Sequence, residues 1–167
     1  MPQILIPQLG DAPSSPFPDP ARVEHPDGLL AWGGDLSPER LINAYRQGIF
    51  PWFEEGSEIL WWSPEPRAVM IPDGWQPPKR LRRTLRQGRF RVSLDQRFEQ
   101  VVQGCAASRA DQTGTWITPV MRQVYGELHR LGIAHSVEIL NKEGALIGGL
   151  YGLALGRIFF AESKFHR

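Results

Sequence analysis

The chain has 167 residues, 41% of them apolar, and a formal net charge of +1 at pH 7. That length suits one domain or a small module joined to a larger one, and the apolar fraction supports a packed core. The sequence has no apolar run long enough to span a bilayer, no secretory leader pattern and no Cys-x-x-Cys or His-x-x-x-His metal motif, while a lone Cys105 excludes an internal disulfide and fits a reducing cytoplasm.

Residues 1–26 are rich in proline and turn formers and are expected to run as extended segments and loops. A short strand is expected at 29–33. Ser37-Pro38-Glu39 then reads as a helix start: Ser37 caps, Pro38 takes the first helical position, and Glu39 lies where the helix dipole favours an acid. Leu41, Ala44 and Tyr45 recur at helical spacing, and Gly48 closes a helix over 38–47. Ile59–Trp62 and Ala68–Ile71 read as strands on either side of a Ser-Pro-Glu-Pro turn, and Pro72–Pro78 as a linker.

Residues 79–88 are expected to be helical and Phe90–Leu94 extended. A helix is expected from Leu94-Asp95 to about Ala107, with Phe98, Val101, Val102 and Cys105 on its apolar face. Pro119 to Leu131 follows as a helix opened by Thr118-Pro119 and closed by Gly132. Ala134–Asn141, Ala145–Ala154 and Arg157–Phe165 then read as an antiparallel meander, with turns at Lys142-Glu143-Gly144 and Leu155-Gly156. Helices followed by hairpins make an α+β protein.

The small net charge hides a segregation. Residues 1–60 hold nine acidic and three basic side chains, and the remainder holds nine acidic and 16 basic. Lys79, Arg80, Arg82, Arg83, Arg86, Arg89 and Arg91 concentrate much of the positive charge, with no acid among them. Such a cluster suits a phosphate backbone; the plainer alternative is a solvated helix face.

The aromatic content of residues 27–67 exceeds what short hairpins need for a core. Trp32 precedes Gly33-Gly34, and Phe50-Pro51-Trp52-Phe53 is followed by Trp61-Trp62-Ser63-Pro64-Glu65-Pro66-Arg67. Flat aromatic platforms beside glycines suit a planar ligand such as a nucleobase. Three further readings fail on chemistry. The glycines at 148, 149, 152 and 156 lie in a strand pattern without a following Lys-Ser/Thr, so they make no phosphate loop. Strand alternation puts Ser136 on the opposite face from His135, which argues against a Ser-His-acid triad with Glu138 and for a structural His135. Cys105, on an apolar helix face, is a core residue.

The block 27–67, together with Thr115-Trp116-Ile117, Ala134-His135-Ser136-Val137-Glu138, Gly148-Gly149-Leu150-Tyr151-Gly152 and Phe160-Ala161-Glu162-Ser163, resembles the bacterial leucyl/phenylalanyl-tRNA–protein transferases over essentially the whole chain. The resemblance implies a small N-terminal α/β domain, residues 1–64, and an acetyltransferase-like (GNAT-like) domain, residues 65–167, incomplete at its C-terminal end. It implies transfer of leucine or phenylalanine from aminoacyl-tRNA to the amino terminus of proteins beginning with Arg or Lys, a tag for degradation under the N-end rule. No cofactor, metal or membrane is implied, and the protein is expected to be a cytoplasmic monomer.

By position in matched motifs, the resemblance places Trp52 and Trp116 at the aminoacyl-adenosine end, Leu150 in the side-chain pocket and Glu162 at a polar position in the cleft. It makes Lys79, Arg80, Arg82, Arg83, Arg86 and Arg89 a tRNA footprint, and leaves Trp32, Trp61 and Trp75 as structural residues. Two departures stand out. The family's Asp-x-Gln element, implicated in managing the proton, has no counterpart here, so no catalytic residue is assigned, with Glu162 the polar candidate. Lys164 stands where the family usually has methionine. The chain as given is expected to bind tRNA but transfer poorly; the alternative is a tRNA- or protein-binding module without catalysis.

Overall fold

The computed structural model describes residues 5–107 and 115–167. They divide into two compact units: the described residues of Met1–Arg67 and Ala110–Leu128, and those of Ala68–Arg109 and His129–Arg167. The content is mixed α and β, as expected, and no helix among the described residues is long and apolar enough to cross a membrane.

The first unit is built on a four-stranded sheet of β1 (Gln8–Leu9), β2 (Leu29–Gly33), β3 (Phe50–Pro51) and β4 (Leu60–Trp62), in the order β1-β2-β4-β3. Only β1 and β2 run parallel. The two-residue strands β1 and β3 go beyond the expected elements. Pro51 sits in the sheet because β3 is an edge strand, where a missing N–H costs no ladder bond. Helix α1 (Pro38–Arg46) begins as its sequence dictates: the Ser37 hydroxyl accepts from the Arg40 N–H at 3.3 Å, and Glu39 lies in the first turn. Leu41, Ala44 and Tyr45 are buried with Ile49 and Trp61, and the Trp61 indole donates to the Gly33 carbonyl at 2.9 Å.

Arg40 is fully buried on that helix. Its guanidinium donates to Asp35 Oδ1 at 3.1 Å and to the carbonyls of Gly10 and Ala12 at 2.8 and 2.6 Å. A Cβ on Gly34, whose φ is +73°, would come within 3.0 Å of that guanidinium, so the Gly33-Gly34 pair is the chain's approach to a buried charge. Helix α2 (Lys79–Arg86) opens the second unit's elements and helix α4 (Pro119–Arg130) lies mainly in the first. Thr118 caps α4 through its hydroxyl, 3.3 Å from the Met121 N–H, and Tyr125 on α4 shares a 2.6 Å hydrogen bond with Tyr45.

The second unit is an antiparallel sheet of β5 (Arg91–Leu94), β6 (Ala134–Leu140), β7 (Leu146–Leu155) and β8 (Ile158–His166), in that order, with α3 (Phe98–Ala107) against one face. The β6–β8 meander follows the expected boundaries within a residue or two. Phe98, Val101, Val102 and Cys105 form the buried face of α3, as their spacing predicts. A Cβ on Gly104 would lie 2.6 Å from the Phe165 ring, so helix and sheet meet at glycine.

Two expectations are overturned. Ala68–Ile71 forms no strand: Val69 and Ile71 are 82% and 72% exposed. Its apolar composition suggested a strand, but a strand needs a ladder partner and none runs beside it among the described residues. Helix α3 opens at Phe98, not at Leu94-Asp95, because Leu94 still pairs with Val137 and Asp95 takes a φ of +56°. The Asp95 carboxylate there accepts from the Ser136 N–H at 2.8 Å and from His135 Nδ1 at 2.7 Å. Short polar side chains are the non-glycine residues that tolerate this backbone region.

Glu138 is fully buried at the centre of β6. It accepts from the hydroxyls of Ser93 and Ser136, both at 2.5 Å, and from the Arg97 N–H ahead of α3 at 3.4 Å. One carboxylate therefore ties β5, β6 and the start of α3 together. Removing it leaves two hydroxyls without an acceptor, and hydrogen bonds to charged groups contribute about 1.5–3 kcal/mol each. Glu138→Ala is expected to lower stability in urea by about 3–5 kcal/mol and Glu138→Gln by less; an unchanged midpoint for the alanine variant would contradict this role.

Burial raises the pKa of Asp35 and of Asp95, but hydrogen bonds outweigh it. Ser37 and Arg40 hold Asp35, and His135 and the Ser136 N–H hold Asp95, below the ordinary carboxylate value. Both stabilise the fold above the unfolded value of about 3.9, and that contribution is lost as pH falls through the depressed folded value. Acid titration of unfolding should show stability falling below about pH 4, with a shallower fall in Asp95→Asn; an identical slope in that variant would remove Asp95 from the account.

Candidate functional site

Helix α2 is at odds with its own sequence as a structural element. None of its residues is buried, and Leu85 is 59% exposed. Lys79 and Arg80 stand in the first turn, where the helix dipole disfavours cations, and no side chain caps that end. Arg82 and Arg86, and Arg83 and Arg86, repel at i,i+4 and i,i+3 spacing, each pair costing about 0.2–0.5 kcal/mol. Among the described residues no acid forms an ion pair with any cation from Lys79 to Arg91. Lys79, Arg82, Arg83, Arg86 and Gln87 line a groove of about 530 Å³. A helix this unfavourable alone gains most from an anion laid along it.

The aromatic residues separate into core and surface. Trp61 is buried, and Trp32 is held by a 3.2 Å bond from its indole to the Ile6 carbonyl, so both are structural as expected. Trp75, expected to be structural, is half-exposed. Trp52, just after β3, is 53% exposed, with its ring 5.7 Å from that of Trp62, whose indole donates to the Trp52 carbonyl at 2.7 Å. The backbone beneath Trp52 is therefore fixed while its indole meets solvent. Arg67 reinforces the same corner, donating to the Gly48 carbonyl at 3.1 Å and lying 4.9 Å over the Phe50 ring. Trp116 is half-buried in the same unit, next to buried Ile117, whose N–H donates to the Thr115 hydroxyl at 3.2 Å.

Leu150 and Glu162 belong to the other unit. Ladder register sets Leu94 opposite Val137, Val137 opposite Leu150, and Leu150 opposite Lys164. These four residues cross the sheet on the face away from α3, since Tyr151 and Phe165 turn toward the helix. Sequence reasoning singled out Leu150 and Lys164 but missed Val137 and Leu94. Apolar alternation in Val137 and Ile139 was the available signal, though only the register joins it to Leu150. Glu162 is half-buried in β8 where the β7–β8 register shifts, the kind of irregularity that redirects a side chain. Ser136 gives its hydroxyl to Glu138 while His135 pairs with Asp95 on the opposite face, so no Ser-His dyad forms. Buried Cys105 is a core residue.

Two family models match the chain. Residues 34–65 match the N-terminal domain of leucyl/phenylalanyl-tRNA protein transferase, and residues 69–167 match the family's main model. The chain belongs to the leucyl/phenylalanyl-tRNA protein transferase family. Relatives named leucyl/phenylalanyl-tRNA–protein transferase include one from Pseudomonas putida KT2440, 56% identical over 152 residues, covering 90% of this chain and 67% of the relative. One from Azotobacter vinelandii is 57% identical over 150 residues, covering 89% and 66%. A third, from Xanthomonas euvesicatoria, is 56% identical over 160 residues, covering 94% and 63%. The chain thus spans about two thirds of the length of the curated relatives it matches.

The exposure of Trp52 allows a direct test of the adenosine role suggested for it and for Trp116. Stacking on an aromatic contributes about 1–3 kcal/mol per base. Trp52→Ala and Trp116→Ala are each expected to weaken binding of puromycin, an aminoacyl-adenosine analogue, while circular dichroism stays unchanged. Unaltered puromycin affinity in either variant would remove that tryptophan from the adenosine site, and unfolding of the Trp116 variant would make Trp116 a core residue.

Proposed function

We propose that the protein carrying this chain is an aminoacyltransferase that moves leucine or phenylalanine from aminoacyl-tRNA to the N-terminal amine of proteins beginning with Arg or Lys. The observation that carries the reading is the uncompensated cationic helix α2 within a chain of this family. Its groove suits the phosphates of tRNA. On this reading residues 1–64 form the small first domain and 65–167 belong to an acetyltransferase-like domain of a cytoplasmic, monomeric enzyme.

The chemistry asks little covalent work of the protein. The acceptor amine attacks the ester carbonyl, the amide C–N bond forms, the ester C–O bond breaks, and the ribose hydroxyl leaves with a proton. Because the ester is already activated, rate comes from holding both ends together and from moving one proton. We assign Trp52 and Trp116 to the terminal adenosine, Leu150 with Val137 to the amino-acid side chain, and Glu162 to the polar role near the amine. Lys164, opposite Leu150 and exposed, lines that wall with its aliphatic stem and keeps its ammonium in water.

Transfer of labelled leucine from charged tRNA to a peptide beginning with Arg tests the activity. A version extended through the remaining third found in the relatives is expected to transfer leucine, and the 167-residue chain to do so about 10²–10⁴-fold more slowly, the usual cost of a missing general base. Absence of transfer by the extended version would refute the enzyme reading. Equal rates would place every catalytic residue within the chain, with Glu162 first among them. For the footprint, Arg82, Arg83 and Arg86 all changed to Ala should weaken tRNA binding and lower the slope of log affinity against log salt by about one for each phosphate no longer neutralised. An unchanged slope would remove α2 from the interface.

A further inference from the structure

The cationic surface does not stop at α2. The turn that leaves the helix, Gly88 to Arg91, lies beside the β6–β7 turn, Asn141 to Gly144, and together they line a cleft of about 360 Å³. Backbone geometry holds the two turns side by side: Arg91 pairs with Leu140 at the end of the β5–β6 ladder, and Asn141 and Ala145 close the second turn with a 3.0 Å backbone bond. The cleft is therefore a built feature of the sheet's edge.

Its lining is unusual in one respect. Phe90 is 44% exposed between two exposed arginines, Arg89 and Arg91, with exposed Lys142 on the facing turn. Glu143 is the one acid among the lining residues, and among the described residues none of the three cations is in an ion pair. Asn141 spends its side-chain oxygen on the Ala145 N–H at 2.8 Å, leaving the amide hydrogens as donors. An aromatic ring left in water among cations and an amide donor matches a ligand with a flat π-face and anionic links on either side.

We infer that this cleft takes an unpaired nucleotide of the tRNA, its base stacked on Phe90 and its flanking phosphates held by Arg89, Arg91 and Lys142. The inference rests on the tRNA-binding reading of α2 and deepens it. A base inside a duplex is already stacked on its neighbours, so only an unpaired one can lie on the ring. Phosphates following the α2 groove reach Arg89 directly, because only Gln87 and Gly88 separate Arg86 from it. Stacking is sequence-tolerant, so the cleft contributes affinity and orientation rather than base identity.

The test uses the 167-residue chain with leucyl-tRNA and with a short unstructured RNA. Phe90→Ala should weaken binding of both about tenfold and leave the salt slope unchanged, with Phe90→Trp restoring affinity. Lys142→Ala should instead lower the slope by about one. If Phe90→Ala changes affinity less than twofold while the Arg82, Arg83 and Arg86 variant still weakens it, the inference fails and the footprint stands. If the unaltered chain binds no tRNA, the footprint fails and the inference with it. Competition by an acidic peptide as strong as that by the short RNA would assign the cleft to a protein partner and overturn it.

Discussion

The second unit depends on where it puts one buried carboxylate. Glu138 sits inside the sheet with two serine hydroxyls and a backbone N–H as its donors. A buried charge without such donors would cost several kcal/mol, so its three partners are held as firmly as it is. Those partners lie on β5, β6 and the lead into α3. Strand β5 is otherwise weakly placed: it is a four-residue edge strand with three residues exposed. The Ser93–Glu138 bond adds a side-chain anchor to its ladder, and the chain enters β5 directly from the cationic helix. Glu138 thereby fixes one end of the segment that carries the charge.

Against that anchored end, α2 and its exit turn carry several locally unfavourable features. Lys79 and Arg80 oppose the dipole in the first turn, and the arginines repel one another and, among the described residues, have no acidic partner. Leucine and phenylalanine side chains stand in water. Proteins tolerate such violations where a ligand corrects them. The first unit handles charge in the opposite way. There Arg40 is buried and held through Nε and Nη2 by Asp35 and two carbonyls, with Nη1 left without a partner among the described residues. The unit's acidic surplus lies elsewhere in the sequence from the arginines of α2. Charge in the first unit is paired inside the fold, while the charge of α2 stands exposed and, among the described residues, without an acidic partner.

Elements with local signals were legible in the sequence. Helix α1 announces both ends, with Ser37-Pro38-Glu39 and Gly48, and the meander is punctuated by Gly144 and Gly156, each at positive φ. Features made by distant pairing were not. Strands β1 and β3 are two residues long and exist through their partners, while Ala68–Ile71 has strand composition and no ladder partner among the described residues. The start of α3 shifted because Asp95 answers to Ser136 and His135, some 40 residues away. The candidate site divides along the same line. The cations of α2 were evident because charge is a local property, and the family motifs drew attention to Trp52, Trp116, Leu150 and Glu162. The row from Leu94 to Lys164 and the cleft at Phe90 depended on register.

Hydrogen exchange of the chain with and without leucyl-tRNA tests the proposed tRNA footprint on α2 most directly. Bound leucyl-tRNA should slow exchange in peptides covering 79–91 and in those covering 50–53 and 115–118, with the first set losing protection as salt is raised. Saturating tRNA that leaves 79–91 exchanging at its free rate would contradict the account.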